Sequence, residues 1–339
     1  MSVSAAIYGC EGPELSVPEA AFFRDVQPWG FILFARNIQS PDQVRRLIEA
    51  LRATVGRDNA PVLIDQEGGR VQRFGPPHWR RYPPGGVFGR LSGGAEIQRE
   101  AARLGARLMA DDLFRLGVNV DCAPVLDVPQ PGAHDIIGDR AYGVTPETVS
   151  RLGRAVAEGL IAGGVLPVIK HIPGHGRAAA DSHFDLPVVE TSAESLEAID
   201  FAPFEALSDM PLAMTAHVLY RALDPRRPAT TSRAVIEGVL RRRLGFSGLV
   251  MSDDLSMQAL SGTLTERARR SLSAGCDVVL HCNGDMAEMK AVAAGVRTLS
   301  GKAARRAEAA LARIPRRPEP FDRAEAEARF EALLAGVWP

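Results

Sequence analysis

The chain has 339 residues, 46% of them apolar, with 40 basic and 41 acidic side chains. That length suits one large α/β barrel or two ordinary domains. The near-zero net charge gives no global field for nucleic acid or an acidic membrane. No window approaches the roughly 18 apolar residues of a membrane span, so neither partner is expected.

Eight short apolar runs predict strands at 5–10, 30–35, 61–65, 118–123, 167–171, 212–216, 248–252 and 277–282. They are continuous rather than alternating, as in parallel strands covered on both faces. Amphipathic stretches lie between them. Ser40-Pro41-Asp42-Gln43 reads as a capping box with proline at the first helical position. Val44, Leu47, Ile48 and Leu51 follow at helical spacing. The stretch 74–94, rich in Pro and Gly, reads as a long loop before a helix over 97–116. Thr145-Pro146 opens the next helix, which Gly163-Gly164 ends. Another helix is predicted over 264–272, and closing helices at the C-terminus, the last after Pro315. Arg305-Arg306 and Arg316-Arg317, interspersed with acids, read as a solvated helix face.

The eight strand-then-helix units predict a single (β/α)8 TIM barrel over residues 1–339, with a doubly wound sheet plus a second domain as the alternative. Cys10, Cys122, Cys276 and Cys282 form no CxxC pair and lie in or beside apolar runs, so free buried thiols in a reducing compartment are expected. The first residues lack a basic stretch followed by a long apolar core. The cytoplasm is therefore the expected location and a monomer the default state.

In a barrel, reactive groups belong just after the strand C-termini. Polar clusters occupy those places: Asp65 to Arg70 after the third strand, Asp127 beyond the fourth, Lys170-His171 after the fifth, His217 after the sixth, Asp253-Asp254 after the seventh and Asn283 after the eighth. Packing alone gives no reason for this convergence.

The segment KHIPGHGRAAADSH at 170–183 holds three of the seven histidines. His171 and His175 are four apart, but Pro173 and Gly174 between them break the helix that a shared metal would need, so no metal is expected. A metal-dependent barrel hydrolase using His171, His175, His183 and an aspartate stays as an alternative. Asp181 and His183 are two apart on an extended or turn segment, where side chains lean the same way. A carboxylate beside an imidazole fixes its tautomer and stabilises its charged form, so His183 is a candidate acid/base on a mobile loop loosely tethered by Ala178 to Ala180. Lys170 at a buried strand end needs a partner, either ligand hydroxyls or an acid on a neighbouring strand.

Of Asp253 and Asp254, adjacent on an extended backbone, only one should face the barrel mouth. Asp253 is the candidate nucleophile, base or metal ligand, with Lys170, Arg73 and Arg140 as sources of positive charge. Asp254 suits a cap on the next helix. In DQEGGRVQRF at 65–74, Asp65 can accept bonds from sugar hydroxyls, Gly68-Gly69 allow a tight turn, and of Arg70 and Arg73 one can reach a ligand while the other braces the loop.

Taken together, DQEGGRVQRF, GDRAYG at 138–143, KHIPGHG with DSH, MTAH at 214–217 and SDDLSM at 252–257 resemble family 3 glycoside hydrolases, and among them the bacterial β-N-acetylglucosaminidases of peptidoglycan recycling. The resemblance covers about residues 6–285. It implies a TIM barrel and a retaining, two-step mechanism without a cofactor, acting on a small carbohydrate. Asp253 would be the nucleophile and His183 the acid/base, oriented by Asp181. Asp65, Arg73, Arg140, Lys170 and His171 would hold the sugar, and Arg70 would serve the scaffold. A glycoside phosphorylase and a catalytically silent amino-sugar sensor are the further alternatives.

Overall fold

A computed structural model describes residues 2–178, 180–315 and 317–338. Ala179 of the loop tether and Arg316 of the basic C-terminal pair lie outside the described residues. Eight strands close a barrel: β1 (Ser4–Gly9), β2 (Pro28–Leu33), β3 (Val62–Ile64), β4 (Val120–Asp121), β5 (Leu166–Ile172), β6 (Leu212–Thr215), β7 (Leu249–Asp254) and β8 (Val278–His281). Each pairs in parallel with its sequence neighbours, and β8 returns to β1 through Ala6↔Val279. The closed ring excludes the doubly wound alternative. Every residue of β2 and β5 is buried, including Lys170 and His171 near the end of the otherwise apolar β5.

Helices wrap the ring. Ser40 caps Pro41–Val55 through the Gln43 amide. The reciprocal half of the expected capping box is missing. The Gln43 side chain turns inward and donates to the carbonyls of Pro13 and Asn37. The loop over 74–94 contains a short helix, Gly85–Arg90, and the helix that follows runs over Ala95–Phe114. Thr145 caps Pro146–Ala162, which ends at Gly163 as expected. Leu264–Ala274 is capped by Thr263, so Asp254 does not have the capping role expected of it.

Two helices close the structure, Gly301–Leu311 and Arg323–Leu334. Arg306 on the first is half-buried and pairs with Asp277 at 2.9 Å, so that helix is docked rather than merely solvated. The second packs along Ala95–Phe114, where Phe330 fills the space over Gly105 that a Cβ would take. Cys10, Cys122 and Cys276 are buried free thiols, and Cys282 is half-buried. Among the described residues no helix is long and apolar enough to cross a membrane.

Candidate active site

The strand ends converge on a cavity of about 280 Å³ at the barrel mouth. Ile32, Met214 and Leu280, from β2, β6 and β8, give it apolar walls. Asp65, Arg73, Arg140, Lys170, His171, His183 and Asp253 all line it, drawn from segments up to 188 positions apart along the chain (65 to 253).

A buried charge network forms the floor. Lys170 is 2% exposed. Its Nζ lies 2.8 Å from Asp65 Oδ1 and 2.6 Å from Glu67 Oε1. Arg73 reaches Asp65 Oδ2 at 3.2 Å. Arg140 grips Glu67 with two bonds of 2.8 Å, the bidentate geometry that holds an arginine most firmly. Burial opposes ionisation of Glu67, but Arg140 and Lys170 outweigh it and hold its carboxyl far below the ordinary range. Asp65 is likewise held low: burial works against its charge, and Lys170 and Arg73 prevail. The three cations therefore pair directly with Asp65 and Glu67, and none bonds Asp253. Lys170 thus has the neighbouring-acid partner considered for it, while still lining the cavity.

The turn bearing these acids depends on glycine. Gly68 and Gly69 have φ of +95° and +58°, and a Cβ on Gly68 would stand 2.3 Å from the Pro83 carbonyl oxygen. Arg70 binds the carbonyl oxygens of Asp135, Ile136 and Ile137, bracing the loop behind Arg140 as expected of it.

Lys170-His171 and Asp253-Asp254 form strand ends rather than following them. Pairing slips between Lys170 and Ile172, and between Met251 and Asp254. Such irregularities re-aim side chains, and both members of each pair line the cavity, against the expectation for Asp253 and Asp254. Asp254 accepts from the amides of Ser256 and Cys282, at 3.1 and 3.2 Å. Asp253 Oδ1 accepts only the Asp254 amide, at 2.8 Å, and Oδ2 has no hydrogen bond among the described residues. Burial opposes its ionisation, yet His171, the Asp254 amide and Lys170 help keep its carboxyl below the usual range.

His183 hangs over this cavity from the loop after β5, with its side chain 58% exposed. Its Nδ1 lies 2.7 Å from Asp181 Oδ1, which also accepts the His183 amide. Nε2 makes no hydrogen bond among the described residues. The loop leans on the segment after β7, where Ala259 and Gln258 amides donate to the Ser182 and His183 carbonyls at 3.3 Å. Its first half is tied more tightly. Asp127 Oδ1 accepts the His175 amide at 2.6 Å, Arg177 binds Asp200 at 2.6 Å, and the Val128 backbone fills the place of a Cβ on Gly176.

The Glycosyl hydrolase family 3 N terminal domain matches residues 17–316. The chain belongs to glycosyl hydrolase family 3. This family 3 chain is 42% identical to the β-hexosaminidase of Alkalilimnicola ehrlichii over 293 residues, covering 84% of it and 82% of that protein. It is 42% identical to the β-hexosaminidase of Methylococcus capsulatus over 276 residues, covering 80% of each. Native NagZ from Neisseria gonorrhoeae superposes with a TM-score of 0.86 at 32% identity, over 100% of this chain and 99% of that one. NagZ from the same organism in complex with N-trifluoroacetyl-D-glucosamine gives 0.85 at 33% identity, over 99% and 98%. The family 3 chain is a glycoside hydrolase.

Several groups at this family 3 site escaped sequence reasoning. Glu67 sits inside the quoted DQEGGRVQRF motif, but its partner Arg140 is 73 positions away. Asp127 was singled out only by place. It binds His171 Nδ1 at 2.7 Å and accepts the amides of His171 and His175, fixing the strand end. Among the described residues no group of three or more His, Cys, Asp or Glu is placed to hold a metal. Asn283 bonds Glu288 and lies outside the cavity, and His217 is fully buried behind it.

His175 supplies a test of this packing. Burial, with His171 beside it, drives its pKa from 6.5 to about 4 despite Asp127 and Asp253 nearby. Between those values the unfolded chain binds a proton that the folded chain refuses. This contribution is therefore complete above pH 6.5 and is lost as pH falls toward 4, by about 3 kcal/mol. Asp200, raised by burial to about 6, acts in the opposite direction. The informative quantity is thus the difference between wild type and His175→Asn in urea unfolding, followed from pH 7 to 4.5. The variant should lose less stability on acidification; identical slopes would remove His175 from the account.

Proposed function

We propose that this enzyme is a retaining, exo-acting β-N-acetylglucosaminidase. It removes terminal N-acetylglucosamine from muropeptide-type fragments, GlcNAc-1,6-anhydroMurNAc and its peptides, in cytoplasmic peptidoglycan recycling. The whole chain, residues 1–339, acts as one catalytic unit and as a monomer. One observation carries the reading: an unbonded Asp253 Oδ2 and an Asp181-bound His183 line one small cavity with a polar floor. A floor closed by Lys170, Asp65 and Glu67 suits a terminal sugar rather than a chain running through. The N-acetyl preference is supported by NagZ from Neisseria gonorrhoeae, whose structure contains N-trifluoroacetyl-D-glucosamine.

In the first step an Asp253 oxygen attacks the anomeric carbon as the bond to the leaving oxygen breaks. His183 Nε2 gives that oxygen its proton, and a glycosyl-aspartate forms. In the second step His183 takes a proton from water, whose oxygen displaces Asp253. The usual second carboxyl of a retaining glycosidase is thus replaced by an imidazole, which can move a proton in either direction near neutral pH. Asp181 fixes the tautomer and steadies the imidazolium. Asp65, Arg73, Lys170 and His171 bind sugar hydroxyls, and Arg140 does so while holding Glu67.

Trapping with a 5-fluoro N-acetylglucosaminyl fluoride tests the reading. Mass spectrometry should find one sugar on the peptide containing Asp253. A sugar on another residue, or none alongside rapid turnover, would overturn it. Product released only with phosphate, as sugar 1-phosphate, would make the enzyme a phosphorylase.

A further inference from the structure

We infer that His217 is a positioning residue for the proposed nucleophile, held in a single tautomer by Thr230 and Thr215. The inference rests on the reading of Asp253 above. All three side chains are completely buried, and none lines the cavity, so no sugar touches them.

The protons can be assigned along the chain of contacts. His217 Nε2 lies 2.9 Å from the Asp254 carbonyl oxygen, which can only accept, so Nε2 carries hydrogen. His217 Nδ1 lies 2.7 Å from Thr230 Oγ1. If the ring is neutral, Nδ1 must accept and Thr230 must donate. Complete burial favours that neutral ring, and it depresses the His217 pKa although Asp253 and Asp254 stand nearby. Thr230 then has no proton left for the Ala216 carbonyl 3.1 Å away, and accepts instead from Thr215 Oγ1 at 2.8 Å. Only a buried imidazolium would allow the opposite polarity. The donors therefore run one way, from Thr215 to Thr230 to His217 to the main chain at Asp254.

What this holds is the residue on which Asp253 rests. The Asp254 amide donates to Asp253 Oδ1 at 2.8 Å, leaving Oδ2 as the free oxygen. The pairing of β7 with β8 is irregular between Met251 and Asp254, so the sheet ladder does not fix this turn by itself. His217, two residues beyond β6, adds a restraint from that side to the ones Leu280 and Cys282 supply from the β8 side. A nucleophile misplaced by even about 1 Å loses much of its rate, so the effect belongs in turnover rather than in sugar affinity.

Thr230→Val removes one hydroxyl and keeps the shape. It should lower kcat by roughly tenfold, on the natural disaccharide and on a dinitrophenyl glycoside alike, and slow trapping by the fluoro-sugar equally. KM and the affinity for free N-acetylglucosamine should hold, as general damage to the site would not allow. His217→Gln, which retains a donor for the Asp254 carbonyl, should be faster than His217→Ala. Wild-type kcat in Thr230→Val would overturn the inference, as would equal rates for the two His217 variants. Should Thr230→Val fail to fold, the Gln and Ala comparison decides. Asp253→Asn separates the two readings: if it turns over normally the nucleophile assignment falls, and if it is inactive while Thr230→Val keeps the wild-type kcat, only the role of His217 falls.

Discussion

Asp253→Asn is expected to lower turnover at least about 10⁴-fold, the scale of losing the nucleophile from a site that acts as a unit. Asparagine keeps the shape, and its amide oxygen can still accept the Asp254 amide. It lacks the charge that attacks the anomeric carbon. Sugar affinity should survive, because Lys170, Asp65, Glu67 and Arg140 hold one another without help from residue 253. Steady-state kinetics beside calorimetric titration with N-acetylglucosamine checks both halves. Unimpaired turnover would place the nucleophile elsewhere.

The second large effect is at His183. His183→Ala should slow cleavage of natural glycosides by roughly 10²–10⁴-fold, the range of general acid–base catalysis. A dinitrophenyl glycoside needs little help in leaving, so its first step should be nearly spared and glycosyl-enzyme should accumulate. That contrast separates proton transfer from damage to the fold, and the exposed loop position makes damage small. Asp181→Asn should follow the same pattern more weakly, since the ring would lose its orienting charge. An equal loss on both substrates would count against the assignment.

The eight strands were legible because each lies in a short, mostly apolar run, the mark of a strand covered on both sides. The helix boundaries at Ser40-Pro41, Thr145-Pro146 and Gly163 were legible because capping chemistry is local. For the same reason Asp181 and His183, two positions apart, could be paired from their spacing. The floor could not be read this way. Glu67 with Arg140 and Asp127 with His171 join residues 73 and 44 positions apart, and no local pattern encodes such a meeting. The two slips in strand pairing were equally hidden. They turn Asp254 into the cavity beside Asp253, where simple alternation would have sent it away. Gln43 shows a different limit: a side chain that fits a helix cap was drawn instead to the carbonyls of Pro13 and the buried Asn37.

The charges gathered at the barrel mouth also carry a consequence for what can enter it. Lys170, Arg73 and Arg140 are taken up by direct ion pairs with Asp65 and Glu67, and Asp253 and Asp254 add two further carboxylates to the lining. An uncharged pyranose can shed its water there without stranding any ion. A phosphorylated hexose would bring negative charge to a lining whose cations are already paired and whose remaining carboxylates repel it, and desolvating it would be correspondingly costly. Charge thus discriminates among ligands in its own right, rejecting anionic sugars from this cavity before any hydroxyl has been recognised.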